Sequence, residues 1–195
     1  MNYGKIKYCD IANGPGCRTS LFVSGCRNNC PGCFNPETHD FEYGEPFTPD
    51  TLQKILDESR HYYIDGLSIL GGEPLDERNR EVVALICHSF RRAYPAKSIW
   101  VYTGYTWEQL MQKDPMRYLR LLSCVNVLVD GPFIEAEKDI SLRFRGSRNQ
   151  RMIDVPAMIR QYEEKAELSF PVMPWTDDEV YARHEMPADR RYSHF

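Results

Sequence analysis

The chain has 195 residues and a formal net charge of −4, enough for one domain with a real core and no basic field for nucleic acid. No apolar run approaches a membrane span, and Met1-Asn2-Tyr3-Gly4-Lys5 is not followed by a signal-peptide core, so the chain reads as cytoplasmic with no membrane partner. Its 7 cysteines lack the regular spacing of a small secreted disulfide framework. Cys9, Cys17, Cys87 and Cys124 are therefore expected as reduced thiols in small buried or half-buried sites.

Lys5-Ile6-Lys7-Tyr8 alternates and predicts a short lead-in strand. Asn13-Gly14-Pro15-Gly16 sets two glycines around a proline, the composition of a tight exposed loop. Thr19 to Ser24 is β-branched and apolar, as a buried strand is, and runs into Gly25-Cys26-Arg27-Asn28-Asn29-Cys30-Pro31-Gly32-Cys33. Thiols spaced C-x3-C-x2-C point to a shared metal centre, because two of them could close a disulfide but the third would be left over. Two centres suit cysteine. A structural zinc ion takes four ligands, usually two C-x2-C pairs or one pair with two histidines. No second pair exists here, so Cys17 or His39 would have to be the fourth. An iron–sulfur cluster is held by thiolates, and with three of them one iron stays open.

After a polar and aromatic loop from Phe34 to Pro46, Thr48-Pro49-Asp50 opens a helix: Thr as cap, Pro first, an acid in the first turn. Leu52, Ile55 and Leu56 are its apolar stripe. Leu67 to Leu70 is a second strand and stops at Gly71-Gly72-Glu73-Pro74. The next helix carries Val82, Leu85, Ile86 and Phe90. Ser98 to Tyr102 is a third strand, ending at Thr103-Gly104. Thr106 to Gln109 has the capping-box pattern of a helix start. Pro115 interrupts that helix, which resumes through Tyr118, Leu119 and Leu122. Val125 to Val129 is a fourth strand, ending at Asp130-Gly131, and Met152 to Val155 a fifth. The basic run Arg143 to Arg151 stands out on an acidic chain, as a solvated face or as part of a site.

Strands alternating with helices give βαβ units and a parallel sheet. Right-handed crossovers then bring every strand's C-terminal end to one edge, where α/β folds build their sites. Residues 26–33, 71–74, 103–104 and 130–131 each follow a strand and so share that edge. Five strands fall short of a closed eight-unit barrel of about 250 residues. The fold expected is α/β: an open, partial (β/α) barrel with parallel strands over residues 1–155. Residues 156–195, with Pro156, Pro171, Pro174, Pro187 and a helix from Met158 to Leu168, read as a C-terminal extension. It either drapes on the body or faces a partner through Trp175 and Tyr181.

The cysteine triplet after a short strand resembles the radical S-adenosylmethionine superfamily. Asp10-Ile11-Ala12-Asn13-Gly14-Pro15-Gly16-Cys17-Arg18-Thr19 resembles the lead-in of glycyl-radical activating enzymes. Cys30-Pro31-Gly32-Cys33, Gly71-Gly72-Glu73-Pro74, Trp100-Val101-Tyr102-Thr103-Gly104-Tyr105 and Val129-Asp130-Gly131 narrow the likeness. In order and spacing they are similar to the activases of anaerobic ribonucleoside-triphosphate reductase.

The resemblance implies a barrel of the radical S-adenosylmethionine type, with a 4Fe-4S cluster on Cys26, Cys30 and Cys33 and S-adenosylmethionine on the open iron. It implies reductive cleavage to methionine and a 5′-deoxyadenosyl radical, which takes a hydrogen from a glycine of the reductase large subunit. A flavodoxin is the implied electron donor. Gly71, Gly72 and Glu73 would meet the methionine ammonium, and Gly32, Cys33 and Phe34 the adenine, although most of the superfamily has an aromatic residue where Gly32 stands. Thr103 and Asp130 would reach methionine or ribose, Arg18 would lie near the cluster, and Arg143 to Arg151 would line the site or meet the partner. Taken alone, Gly71 to Pro74 and the two strand-end groups are ordinary turns. Rival readings are an activator of another glycyl-radical enzyme such as pyruvate formate-lyase, a compact radical enzyme acting on a small molecule, and a zinc-stabilised interaction module. No Ser-His-Asp set, Walker loop or H-E-x-x-H competes.

Overall fold

The computed structural model describes residues 1–165 and 173–175. One open sheet runs in the order β3-β1-β2-β4-β5-β6-β7. Its strands are β1 Asn2–Asp10, β2 Cys17–Val23, β3 Glu45–Pro46, β4 Ile64–Gly71, β5 Ser98–Tyr102, β6 Val127–Asp130 and β7 Arg151–Asp154. The middle strands β2, β4, β5 and β6 are parallel, as their alternation with helices requires. β1 and β7 flank them antiparallel. For β7 the reason lies in its connection. Residues 131–150 contain only the short turn Glu135–Glu137, and without a crossover helix the chain returns antiparallel. β3, two residues long on the rim of β1, is too short to leave a periodic signal.

Helices α1 Pro49–Ser59, α2 Arg80–Ala93, α3 Trp107–Lys113 and α4 Pro115–Leu122 cover the outer face of the sheet. Strand side chains alternate between faces. Leu21, Val23, Leu67, Ile69, Ile99, Val101 and Leu128 join the helices in the main core, each worth roughly 1.5–3 kcal/mol when fully buried. Trp100, Val127 and Val129 form a second, inner cluster. Thr48 and Thr106 cap α1 and α3 with reciprocal boxes, and Asp114 caps α4 ahead of Pro115.

Two helical stripes are shifted from expectation. α2 buries Val83, Ile86, Cys87 and Phe90, while Leu85 is 56% exposed; the buried Cys87 supplies apolar volume and turns the stripe by one position. α4 buries Tyr118, Leu121 and Leu122.

Two further expectations change. Cys9 and Cys17 are not separate thiols but a disulfide, with Cα atoms 5.4 Å apart. A register shift between Lys7 and Asp10 sets the two strand ends side by side, which spacing alone does not reveal. After β7 the chain forms α5 Val155–Lys165, and residues 173–175 then run along β7. The Trp175 N–H donates to the Met152 carbonyl at 2.8 Å and the Asp154 N–H to Met173 at 3.0 Å. The Trp175 ring packs 4.9 Å from Trp100, so it completes the chain's own inner cluster and is not offered to a partner. Tyr181 lies outside the described residues.

Candidate functional site

β2 delivers the chain to Gly25, where a turn starts the cysteine loop. Two backbone bonds fix the loop's root: Gly25 N–H to the Thr38 carbonyl at 2.8 Å and Cys26 N–H to His39 at 3.1 Å. Within it Gly32 has φ +68°, a conformation open to glycine that an aromatic residue would hold only with strain. Cys26, Cys30 and Cys33 are free, half-buried thiols. All three line one cavity of about 590 Å³, together with Gly71, Gly72, Thr103, Gly104 and Gly131. The segments that the sequence assigns to one sheet edge therefore meet in one place.

Gly72 shows why a glycine pair stands after β4. A Cβ there would come 2.6 Å from the Gly25 carbonyl and 2.8 Å from that of Thr38, too close for any side chain. The Gly72 N–H instead donates to Val23 at 2.7 Å and the Glu73 N–H to Gly25 at 2.8 Å. Asn79, buried, ties the same two loops by donating to the Ser24 and Glu73 carbonyls, each at 3.0 Å.

Glu73 is 1% exposed, and its carboxylate takes four donors. Thr103 Oγ1 and the Leu75 N–H reach Oε1 at 2.7 and 2.9 Å. The Gly104 N–H and Asn28 Nδ2 reach Oε2 at 2.7 and 3.1 Å. Four bonds fill the lone pairs of a carboxylate. Burial nevertheless raises its pKa, against the lowering effect of those bonds. Glu73 thus ties the ends of β4 and β5 to the cysteine loop, and Thr103 serves it.

Asp130 does the same work for another pair of elements. Its Oδ2 accepts the Trp107 N–H at 2.8 Å, capping α3, and its Oδ1 accepts Arg151 Nε at 2.9 Å. Both oxygens of this fully buried group are engaged by the protein. Phe34 lines the cavity and packs against Phe133 at 5.1 Å while 60% exposed.

Arg18 lies elsewhere. Fully buried at the start of β2, it donates to Ser68 Oγ, Ser98 Oγ and the Leu67, Ser98 and Pro15 carbonyls. The cysteine loop leaves the other end of that strand, so Arg18 braces the opposite end of the sheet. Burial without a bonded carboxylate lowers its pKa to about 10. The loop before it does enter the cavity wall, through Ala12 and Asn13.

The basic run forms a clasp. Gln150 Oε1 accepts the Gly146 and Ser147 N–H groups at 2.8 and 3.2 Å, and its Nε2 donates to Gly131 at 3.1 Å. Asn149 Nδ2 donates to Pro132 at 2.7 Å. The clasp brings Phe144 and Arg145 into the cavity wall. Sequence reasoning passed over Asn28, Asn79 and Tyr102. Tyr102 Oη is buried with no partner in the described structure, and burial raises its pKa. The signals for it were its place at a strand end and within the Trp100 to Tyr105 motif.

The thiols suit a cluster. Burial pushes Cys26 up to about 11, with Glu73 and the other two cysteines adding to the effect, and burial raises Cys30 too. Thiols in that state lose their protons on binding metal. Among the described residues no group of three or more His, Cys, Asp or Glu side chains is placed to hold a single metal ion. Cys17, one candidate for a fourth zinc ligand, is committed to Cys9. His39, the other candidate, lines the cavity beside the three thiols; three thiolates so placed suit an iron–sulfur cluster.

A family model described as a 4Fe-4S single cluster domain matches residues 12–153. The chain is 38% identical over 154 residues to the anaerobic ribonucleoside-triphosphate reductase-activating protein of Enterobacteria phage T4, covering 78% of this chain and 93% of that one. Against the protein of the same name from Escherichia coli K12 the identity is 40% over 152 residues, covering 77% and 96%. The Vibrio cholerae protein of that name gives 38% over 152 residues, with the same coverage.

Proposed function

The chain belongs to the 4Fe-4S single cluster domain family and to the anaerobic ribonucleoside-triphosphate reductase-activating proteins, and from that premise we propose that it activates such a reductase by radical chemistry on S-adenosylmethionine. The observation that carries this reading is the shared cavity of Cys26, Cys30 and Cys33 with Gly71-Gly72. The open sheet is read accordingly as a partial barrel of the radical S-adenosylmethionine type.

Cys26, Cys30 and Cys33 would hold a 4Fe-4S cluster, which would supply the electron for reductive cleavage of S-adenosylmethionine to methionine and a 5′-deoxyadenosyl radical. The chain's own groups prepare that event. Gly71 and Gly72 let the main chain approach the methionine ammonium with no Cβ between. Glu73, sealed beneath them with its acceptor sites filled by the protein, does not meet the ammonium itself but holds the loops in register. Phe22, Leu70, Tyr102 and Phe144 wall the cavity and exclude water and stray hydrogen donors. Phe34, at the rim, is positioned for the adenine. The 4Fe-4S group would thereby allow removal of a hydrogen atom from a glycine α-carbon of the reductase, with one C–H bond broken there, one formed in 5′-deoxyadenosine, and the unpaired electron left on the glycine. The setting is anaerobic and cytoplasmic, with a flavodoxin-like protein as electron source.

Metal and product analysis tests this. Anaerobically purified protein should hold about four iron and four sulfide per chain and, with a strong reductant, convert S-adenosylmethionine to methionine and 5′-deoxyadenosine. One zinc and no sulfide would overturn it.

A further inference from the structure

Away from the cysteine loop, Cys9 near the end of β1 is bonded to Cys17 at the start of β2. Cys9 is exposed and Cys17 half-buried, so the bond faces solvent. Cys26 follows the far end of β2, and a strand of that length puts roughly 20 Å between this pair and the three thiols. Nothing in the chemistry proposed above uses it.

The pair closes the neck of the loop Asp10 to Gly16, and that loop turns inward. Gly14 and Pro15 are buried. Ser68 Oγ donates to the Asn13 carbonyl at 2.5 Å, and Arg18 Nη1 to that of Pro15 at 3.3 Å. Ala12 and Asn13 line the cavity of the three thiols. At the neck, the Cys17 N–H donates to Asp65 Oδ2 at 2.9 Å. One short loop thus has its neck at the solvent and its tip in the cavity wall.

Disulfides are rare in the reducing cytoplasm, and those of ordinary cells found there are usually transient and redox-sensing. Exposed ones are the labile, regulatory kind. We propose that Cys9–Cys17 is a reversible thiol–disulfide site, exchanging with low-molecular-weight thiols, whose state sets how firmly the loop Asp10 to Gly16 is held in the cavity wall. A small thiolate attacks the exposed Cys9 sulfur. The bond to Cys17 breaks, and Cys17 leaves as a thiolate that takes up a proton. A second small thiolate attacks the mixed disulfide so formed and releases Cys9 as a thiol. Two electrons pass to the protein, and the small thiols leave as their own disulfide; that disulfide, in excess, drives the reverse sequence. Closed, the bond fixes both ends of the loop. Open, the loop keeps only its hydrogen bonds, and its ends are free to separate.

Thiol trapping and hydrogen exchange test this together. The full chain, purified anaerobically, is equilibrated in glutathione buffers from fully reduced to fully oxidised, then alkylated and mapped by mass spectrometry. Cys9 and Cys17 should pass together from alkylated to protected at an intermediate ratio. Amides of residues 10–16 should exchange about tenfold faster in the dithiol form, and a Cys9→Ser, Cys17→Ser double variant should show the fast exchange in every buffer. A pair that stays bonded in fully reduced glutathione is a fixed staple, and one that stays alkylated in fully oxidised glutathione never closes; either result overturns the proposal. Equal loop exchange in the two forms overturns it too. Because only Cys9, Cys17 and their loop are measured, the outcome is independent of the activase reading, which the product analysis above decides.

Discussion

Glu73 carries four donors on one buried carboxylate, and that count decides what its replacement does. Glu73→Gln keeps the shape but turns one acceptor into a donor facing another N–H, costing about 1–3 kcal/mol. At ~2–4 °C per kcal/mol for a chain of this size, thermal unfolding should show a Tm lower by several degrees. S-adenosylmethionine cleavage should fall as the cysteine loop loosens; an unchanged Tm would contradict the count. The cysteines separate by role. Cys30→Ala should lose iron and cleavage together. Cys87→Ala, deep in the α2 core, should keep both and cost only ~1–2 kcal/mol of stability; equal loss of iron in the two variants would undo the ligand assignment. Residue types and spacing disclosed the thiols and the glycine pair. They did not disclose who would occupy Glu73, Asp130 or Arg18, because those partners come from loops and strands far away in the chain.

The elements were legible where local rules act alone. Thr48, Thr106 and Pro115 marked helix starts that the structure repeats, and the parallel strands followed from helices between them. Register was not legible: the Cys9–Cys17 pairing and the one-residue turn of the α2 stripe depend on packing. Nor was the clasp, whose bonds are made by side chains at the end of an irregular connection. Beside it, Arg151 joins α3 to β6 and β7, reaching Glu108 Oε1 at 3.0 Å and Asp130. The guanidinium lowers the Glu108 pKa from 4.5 to about 2. A carboxyl lowered on folding stabilises the fold above its unfolded pKa and stops doing so as pH falls through its folded one. The contribution should therefore be complete above pH 4.5 and fade toward pH 2. Acid unfolding of Glu108→Gln should be shallower than that of the unmutated chain over this window; identical curves would mean the pair is idle.

At the scale of the whole molecule, a seven-stranded sheet has helices on one face and a cavity on the other, and its strand ends gather the chemistry. That gathering was readable in advance, since glycine-rich and cysteine-rich turns each followed a strand. What walls the cavity beyond the strand ends was not, because the clasp that brings in Phe144 and Arg145 has no periodic signature. The central claim is that three thiols and a glycine-walled cavity suffice to put a radical on a partner's backbone. Electron paramagnetic resonance of the cognate reductase, mixed anaerobically with reduced protein and S-adenosylmethionine, tests it most directly. The account predicts a glycyl doublet that disappears with Cys30→Ala; a fully loaded iron–sulfur protein that produces no doublet would contradict it.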